Sequence, residues 1–157
     1  MKKFNDNKWM QLAISEAKLA KNISEVPVGA VLVDIGKDKL ISKSRNKMIR
    51  RKSPISHAEI EVILEGIDIC KSRYLNDTAI YVTLEPCLMC AAAISESRIQ
   101  KIYFGAYDKK KGSIENNVRI FDNRNYYKPE IYGGIMEKEC SKLLTNFFQK
   151  IRKNKKL

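Results

Sequence analysis

Apolar residues recur at helical spacing through Trp9, Met10, Leu12, Ala13, Ala17, Leu19 and Ala20, which predicts a helix over residues 5–22. Pro27 and Gly29 end that pattern. Residues 28–33 (VGAVLV) form a continuous apolar run of strand length and β-branched content, as expected for a strand buried on both faces. The turn at 36–39 separates it from 40–45, its predicted hairpin partner, and a polar, basic loop then leads to Pro54. Over 57–70 (HAEIEVILEGIDIC), Ile60, Ile63, Leu64 and Ile67 share one predicted helical face. Asn76-Asp77 marks a turn before a strand at 79–84, and Pro86 is placed to open a helix that continues through Ile94. Another strand is expected at 101–106. Residues 108–128 read as irregular and polar. Gly133-Gly134 precedes a last helix with Leu143, Leu144, Phe147, Phe148 and Ile151 on one face. A helix and a hairpin followed by alternating helices and strands predict a single α/β domain over 1–157, with three α/β/α layers around a central sheet.

Composition sharpens this picture. A chain of 157 residues, 44% hydrophobic and 31% charged, is globular and makes a core without disulfides. Thirty lysines and arginines stand against 18 acids, a net charge of +12. That excess suits a polyanion, nucleic acid ahead of an anionic membrane surface. The basic residues cluster at 50–52, at 109–111, and at Lys150, Arg152, Lys153, Lys155 and Lys156. Such runs are ordinarily solvated, so they carry meaning only beside a site. The start, residues 1–6, lacks an apolar signal segment, and no stretch nears eighteen apolar residues. A cytoplasmic address is therefore expected, with Cys70, Cys87, Cys90 and Cys140 reduced. The chain holds one histidine, His57, which excludes any site needing two imidazoles.

Two segments carry the chemistry: Ser56-His57-Ala58-Glu59 and Glu85-Pro86-Cys87-Leu88-Met89-Cys90. At i and i+3 near a helix start, Cys87 and Cys90 project to one side, where the helix dipole favours thiolate. With His57 they offer one nitrogen and two sulfurs, a set suited to zinc and poor for magnesium or calcium. A CxxC alone could equally be a redox pair. Structural zinc takes four protein ligands, whereas three leave an open position for water. Cys70 lies thirteen residues along a helix from His57, roughly 20 Å away and too far to share the ion. Spacing does not exclude Cys140. Outside the ligand set, Cys70 and Cys140 read as buried structural thiols. Glu59 is either a first-turn acid favoured by the helix dipole or, beside a metal-activated water, a proton carrier.

His57, Glu59, Pro86, Cys87 and Cys90 match the H-x-E…P-C-x-x-C pattern of the zinc-dependent nucleobase deaminases, which the chain resembles. Glu25 through Val33, Arg45-Asn46, His57 through Ile60, Tyr81 through Cys87, Phe104-Gly105-Ala106 and the tail around Leu143-Leu144 and Phe147-Phe148 narrow the resemblance to the tRNA-specific adenosine deaminases. It extends over most of the chain. The resemblance implies a cytidine deaminase-like fold with a mixed five-stranded sheet, and one zinc ion held by His57, Cys87 and Cys90. It implies that zinc-bound hydroxide attacks C6 of adenine while Glu59 shuttles the proton, giving inosine at the wobble position of a tRNA anticodon. Asn46 and the Ala58 amide would face the flipped base, and Pro27, Val28 and Leu84 would line its pocket. Asp108 would lie beside the nucleotide backbone, with Phe148 a further substrate contact. A homodimer contacting the anticodon stem-loop from both subunits is also implied.

The chain departs from the family after Asp108, where Lys109-Lys110-Lys111-Gly112-Ser113-Ile114-Glu115-Asn116-Asn117 replaces the usual glycine- and serine-containing loop, and again over 123–128. Two alternatives share some of these features. A deaminase of a free base or nucleoside of the guanine or cytosine type would keep the zinc residues but would not require the basic charge. A zinc-stabilised RNA-binding module would leave Glu59 without a role and requires a fourth protein ligand.

Overall fold

The computed structural model describes residues 5–155, so residues 1–4 and Lys156 of the basic tail lie outside it. Helix α1 (Asp6–Asn22) starts where the Asn5 side chain accepts a hydrogen bond from the Lys8 amide at 3.1 Å. Strand β1 (Gly29–Asp34) and strand β2 (Lys39–Arg45) form the expected hairpin, with a register shift between Leu32 and Val33. Helix α2 (Ala58–Cys70) ends at Lys71, which is left-handed at φ 48°. Strand β3 (Thr78–Leu84), helix α3 (Leu88–Glu96) and strand β4 (Lys101–Ala106) follow. A 3-10 turn at Ile120–Asp122, the short strand β5 (Glu130–Tyr132) and helix α4 (Glu137–Asn154) complete the order.

The sheet runs β2-β1-β3-β4-β5. β1 is antiparallel to β2 and β3, while β3, β4 and β5 are parallel. The period of two along each strand divides the core. Ala30, Leu32, Ile80, Val82, Ile102 and Phe104 face the layer of α2 and α3. Val31, Val33, Ala79, Tyr81 and Tyr103 face the layer of α1 and α4. Strands covered on both sides must read as unbroken apolar runs, which is why β1 and β3 lack polar alternation.

Several expectations change. Leu64 is exposed, and α2 instead buries Ala58, Val62, Ile63 and Gly66, a stripe shifted around the helix. Leu19 and Phe148 are likewise exposed. α3 begins at Leu88, with Cys87 as its N-cap and Pro86 before the cap, not at Pro86 itself. Residues 108–128 are not uniformly polar: Ile114, Ile120 and Phe121 enter the α2/α3 core. Burying each such side chain contributes roughly 1.5–3 kcal/mol, enough to pin an otherwise irregular segment. Cys70, read as buried, is exposed at the last turn of α2, whereas Cys140 is buried. The space above Gly105 is filled by the Cys140 side chain, which any Cβ at Gly105 would strike. Cys140 thus packs on the α1/α4 face and is no ligand of the His57 group.

Candidate active site

The C-terminal ends of the parallel strands β3 and β4 lead to residues 85–87 and to Asp108. β1 runs the other way, so its first residues lie at the same end, with the Gly29 amide donating to Thr83 Oγ1 at 3.1 Å. The end of β2 arrives there through the pairing of Arg45 with Gly29. Ligands of open α/β sheets bind at such strand ends.

Two helices also begin here. His57 is the N-cap of α2 and Cys87 the N-cap of α3, both in extended backbone and neither capping its helix with its side chain. Their side chains are thus free to turn toward a common point at two positive dipole ends. His57 Nδ1 lies 3.7 Å from Cys87 Sγ and 3.5 Å from Cys90 Sγ, and one ligand atom of each of the three lies within 4.8 Å of the others. Zinc bonds of about 2.3 Å to sulfur and about 2.05 Å to nitrogen, at a tetrahedral angle, set N and S about 3.6 Å apart. The observed distances fall on either side of that value, so the donor set fits zinc in spacing as well as in chemistry.

The electrostatics belong to one cluster. The Cys87 thiol is brought down to about 4, first by its hydrogen bond with Cys90 and, against burial, by His57. Cys90 is pushed far above the thiol range by the same hydrogen bond and by burial. The Cys87 contact raises His57, although burial and the charge of Lys111 act in the opposite direction. Glu59, 4% exposed, is raised to about 7, chiefly by burial, with its own backbone N–H and His57 pulling the other way. Because His57 precedes the helix, Glu59 two residues later does not have to face away from it. A histidine inside α2 would have forced that separation.

The other expected residues divide. The Asn46 amide donates to the Val28 carbonyl at 3.0 Å, its Nδ2 reaches the Val26 carbonyl at 3.5 Å, and its Oδ1 accepts from the Met48 amide at 3.3 Å. Asn46, Pro27 and Val28 therefore lie together and buried. Ala58 is fully buried in the first turn of α2, and Leu84 ends β3, paired with Ala106. Asp108 Oδ1 accepts from the Lys110 and Lys111 amides at 2.9 and 3.1 Å, so its carboxylate caps its own loop. Phe148 sits on α4, its ring edge-on to Phe147 at 5.4 Å. Among the described residues no hydrogen bond or ring contact ties it to the His57 group.

Part of the basic charge is paired within the fold. Lys47 and Arg51 pair with the buried Glu61 at 3.2 and 2.9 Å, and the backbone amide of Arg50, not its guanidinium, donates to the buried Glu25 at 2.8 Å. These contacts fix the loop that delivers Asn46 and His57. Lys109, Lys110 and Lys111 are exposed, as are Lys150, Arg152, Lys153 and Lys155. Sequence reasoning gave no role to Glu85, whose buried carboxylate collects five N–H groups from residues 108–116. The available signal was an acid at the end of an apolar strand, a position where a carboxylate needs donors.

Residues 3–106 match the cytidine and deoxycytidylate deaminase zinc-binding region. The tRNA-specific adenosine deaminase of Rickettsia bellii is 46% identical over 144 residues, covering 91% of this chain and 99% of that one. A structure solved in a study of A-to-I editing by tRNA:A34 deaminases at the wobble position of transfer RNA is similar at TM-score 0.84 and 40% identity. The match covers 87% of this chain and 99% of that one. The guanine deaminase of Nitrosomonas europaea shares the fold at TM-score 0.79 and 14% identity, over 90% of this chain and 83% of that one. The sheet, the zinc-type donor set and these similarities agree: the chain belongs to the tRNA-specific adenosine deaminases, hydrolytic enzymes built on the cytidine and deoxycytidylate deaminase zinc-binding domain.

Proposed function

We propose that this chain, as one deaminase domain, converts adenosine to inosine at the wobble position of a tRNA anticodon. The observation that carries the reading is the meeting of His57, Cys87 and Cys90 with the buried Glu59 at the strand ends. Zinc held by His57, Cys87 and Cys90 would lower the pKa of water toward neutrality and make a nucleophile available at neutral pH. Glu59 takes a proton from the attacking water and delivers it to the amino nitrogen leaving adenine C6. Asn46, whose two side-chain contacts are long, retains hydrogen-bonding capacity for the flipped base, and the Ala58 amide faces the same base. Pro27, Val28 and Leu84 form the apolar wall, while Asp108 lies beside the nucleotide backbone and Phe148 is a further substrate contact.

The exposed lysines of residues 109–111 and the basic end of α4 supply the charge that draws an anticodon stem-loop to the site. No helix among the described residues is long and apolar enough to cross a membrane, and the enzyme works in the cytoplasm, where its substrate resides. It acts as a homodimer. The exposed Leu64 of α2 and Leu88 of α3, on the helical layer beside the site, support that assembly.

The test is a substrate panel. Purified, zinc-loaded protein is incubated with anticodon stem-loops carrying adenosine or cytidine at the wobble position, and with free adenosine, guanine and cytosine. Inosine forming from the adenosine stem-loop alone is the expected result. Turnover confined to the free bases or nucleoside would refute the reading.

A further inference from the structure

Glu85 is a buried carboxylate that the proposed reaction does not use. It stands between the last residue of β3 and Pro86-Cys87, and is 2% exposed. Its Oε1 accepts from the amides of Ile114, Glu115 and Asn116 at 3.2, 2.9 and 3.0 Å. Its Oε2 accepts from the Asp108 amide at 3.0 Å and from Asn116 Nδ2 at 2.6 Å. The loop is thereby wrapped around one carboxylate. Gly112 presses so closely on it that an added Cβ would overlap the Glu85 carboxyl and the Asp108 carbonyl.

The same loop is stitched to the ligand segment. The Ser113 amide donates to the Pro86 carbonyl at 3.0 Å, and Gly112 and Cys87 form an isolated antiparallel bridge. Lys110, Lys111, Ser113 and Asn117 line an open cleft of about 350 Å³ together with Cys87 and Leu88. The lysines therefore stand beside a metal ligand only because the loop is held there. An apolar residue at position 85 would leave four buried or half-buried amides without an acceptor, and the loop would have to refold to satisfy them.

We propose that Glu85 is a positioning residue for the substrate: by gathering the N–H groups of residues 108–116 it sets Lys110 and Lys111 beside Cys87, where they meet the RNA backbone. It touches neither metal nor base, and it governs how well the stem-loop is held, leaving the hydrolytic step to Glu59. The proposal rests on the tRNA reading above.

The experiment compares the wild-type holoenzyme with Glu85→Gln and Asn116→Ala. A glutamine at 85 turns an NH₂ group toward amide donors, and Asn116→Ala removes one donor of five. For Glu85→Gln, KM for the adenosine stem-loop should rise about tenfold or more, the scale of loss when a positioning contact fails. Its kcat should change by less than about threefold, the pattern of lost binding as opposed to lost chemistry. For Asn116→Ala the rise should be smaller, about threefold, since the other four bonds remain. Both variants should retain one zinc per chain and exchange the amide hydrogens of residues 108–117 faster, with α1 and β1 unchanged. Should Glu85→Gln fail to fold, Asn116→Ala carries the comparison by itself. A fall in kcat at constant KM, loss of zinc, or wild-type exchange across 108–117 would overturn the proposal. Hydrogen exchange is read without substrate. A wild-type enzyme that makes no inosine would therefore defeat the tRNA reading, and exchange would still decide whether Glu85 holds the loop.

Discussion

The two helical layers treat their cysteines differently. In the α2/α3 layer, Cys87 and Cys90 sit at the start of a helix, beside His57 at the start of another, with the donor atoms within 4.8 Å. In the α1/α4 layer, Cys140 is as buried as Cys90, yet it lies against Gly105 in the cluster of Met10, Tyr81 and Tyr103, and among the described residues it joins no group of potential metal ligands. Burial raises the Cys140 thiol to about 12, so it stays protonated and apolar in behaviour. Cys87 is drawn down to about 4 by its hydrogen bonds with Cys90 and His57. Residue type alone therefore does not make a metal site here. A helix start that frees a side chain, at the strand ends, beside a second such start, does.

The contrast is broken most severely by removing a ligand. Cys87→Ser or His57→Ala should lose zinc and, with it, all detectable deamination. Chelation of the wild-type enzyme should do the same and lower its Tm, because a ligand that binds only the folded state stabilises it. Metal analysis, activity and thermal melting check both. Cys140→Ser makes the opposite case: zinc content and kcat unchanged, stability lowered by about 1–3 kcal/mol because a hydroxyl enters an apolar niche. Denaturant unfolding reads that loss, and a loss of zinc would show that the layers are not separate.

The sharpness of the contrast follows from how much of each layer the pattern of residues reveals. β4 was legible to the residue, and α1, β1, β2 and β3 to within one, because buried strands and an amphipathic helix carry strong periodicity. Spacing alone left Cys87 and Cys90 open to a redox pair and Glu59 to a first-turn acid. The resemblance joined them to His57, and the structure brings His57, Cys87 and Cys90 together with Glu59 buried in the first turn of α2. Strand β5 escaped because three residues, Glu130 to Tyr132, are too short for alternation. Leu64 was placed inside because an apolar residue on α2 satisfies helical spacing on either side of the true stripe, and only packing against β1 and β2 decides between them. The contacts of Glu85 were invisible because four of its five donors are backbone amides 23–31 residues away, and backbone donors leave no trace in side-chain identity.

Two smaller effects refine the comparison. Truncation after Lys150 removes the basic end of α4, and each lost phosphate contact should reduce the slope of log K against log salt by about 1 while leaving zinc in place. An unchanged affinity and slope would make that end of the helix merely solvated. In the α1/α4 layer, Tyr81 donates its hydroxyl to Asp6 at 2.8 Å and stacks on Tyr103 with ring centroids 4.4 Å apart. Tyr81→Phe keeps the stack and loses the hydrogen bond, for a cost of about 1 kcal/mol and no change in kcat.

The central claim is the proposed division of labour within the α2/α3 layer, in which His57, Cys87 and Cys90 would hold the metal and Glu59 would move the proton. Glu59→Gln separates the two. With zinc content and deamination of the adenosine stem-loop measured on the same preparation, the account predicts one zinc per chain and a rate reduced by about 10²–10⁴, the share contributed by a general acid–base group. A fully metallated Glu59→Gln enzyme that still makes inosine at the wild-type rate would contradict it.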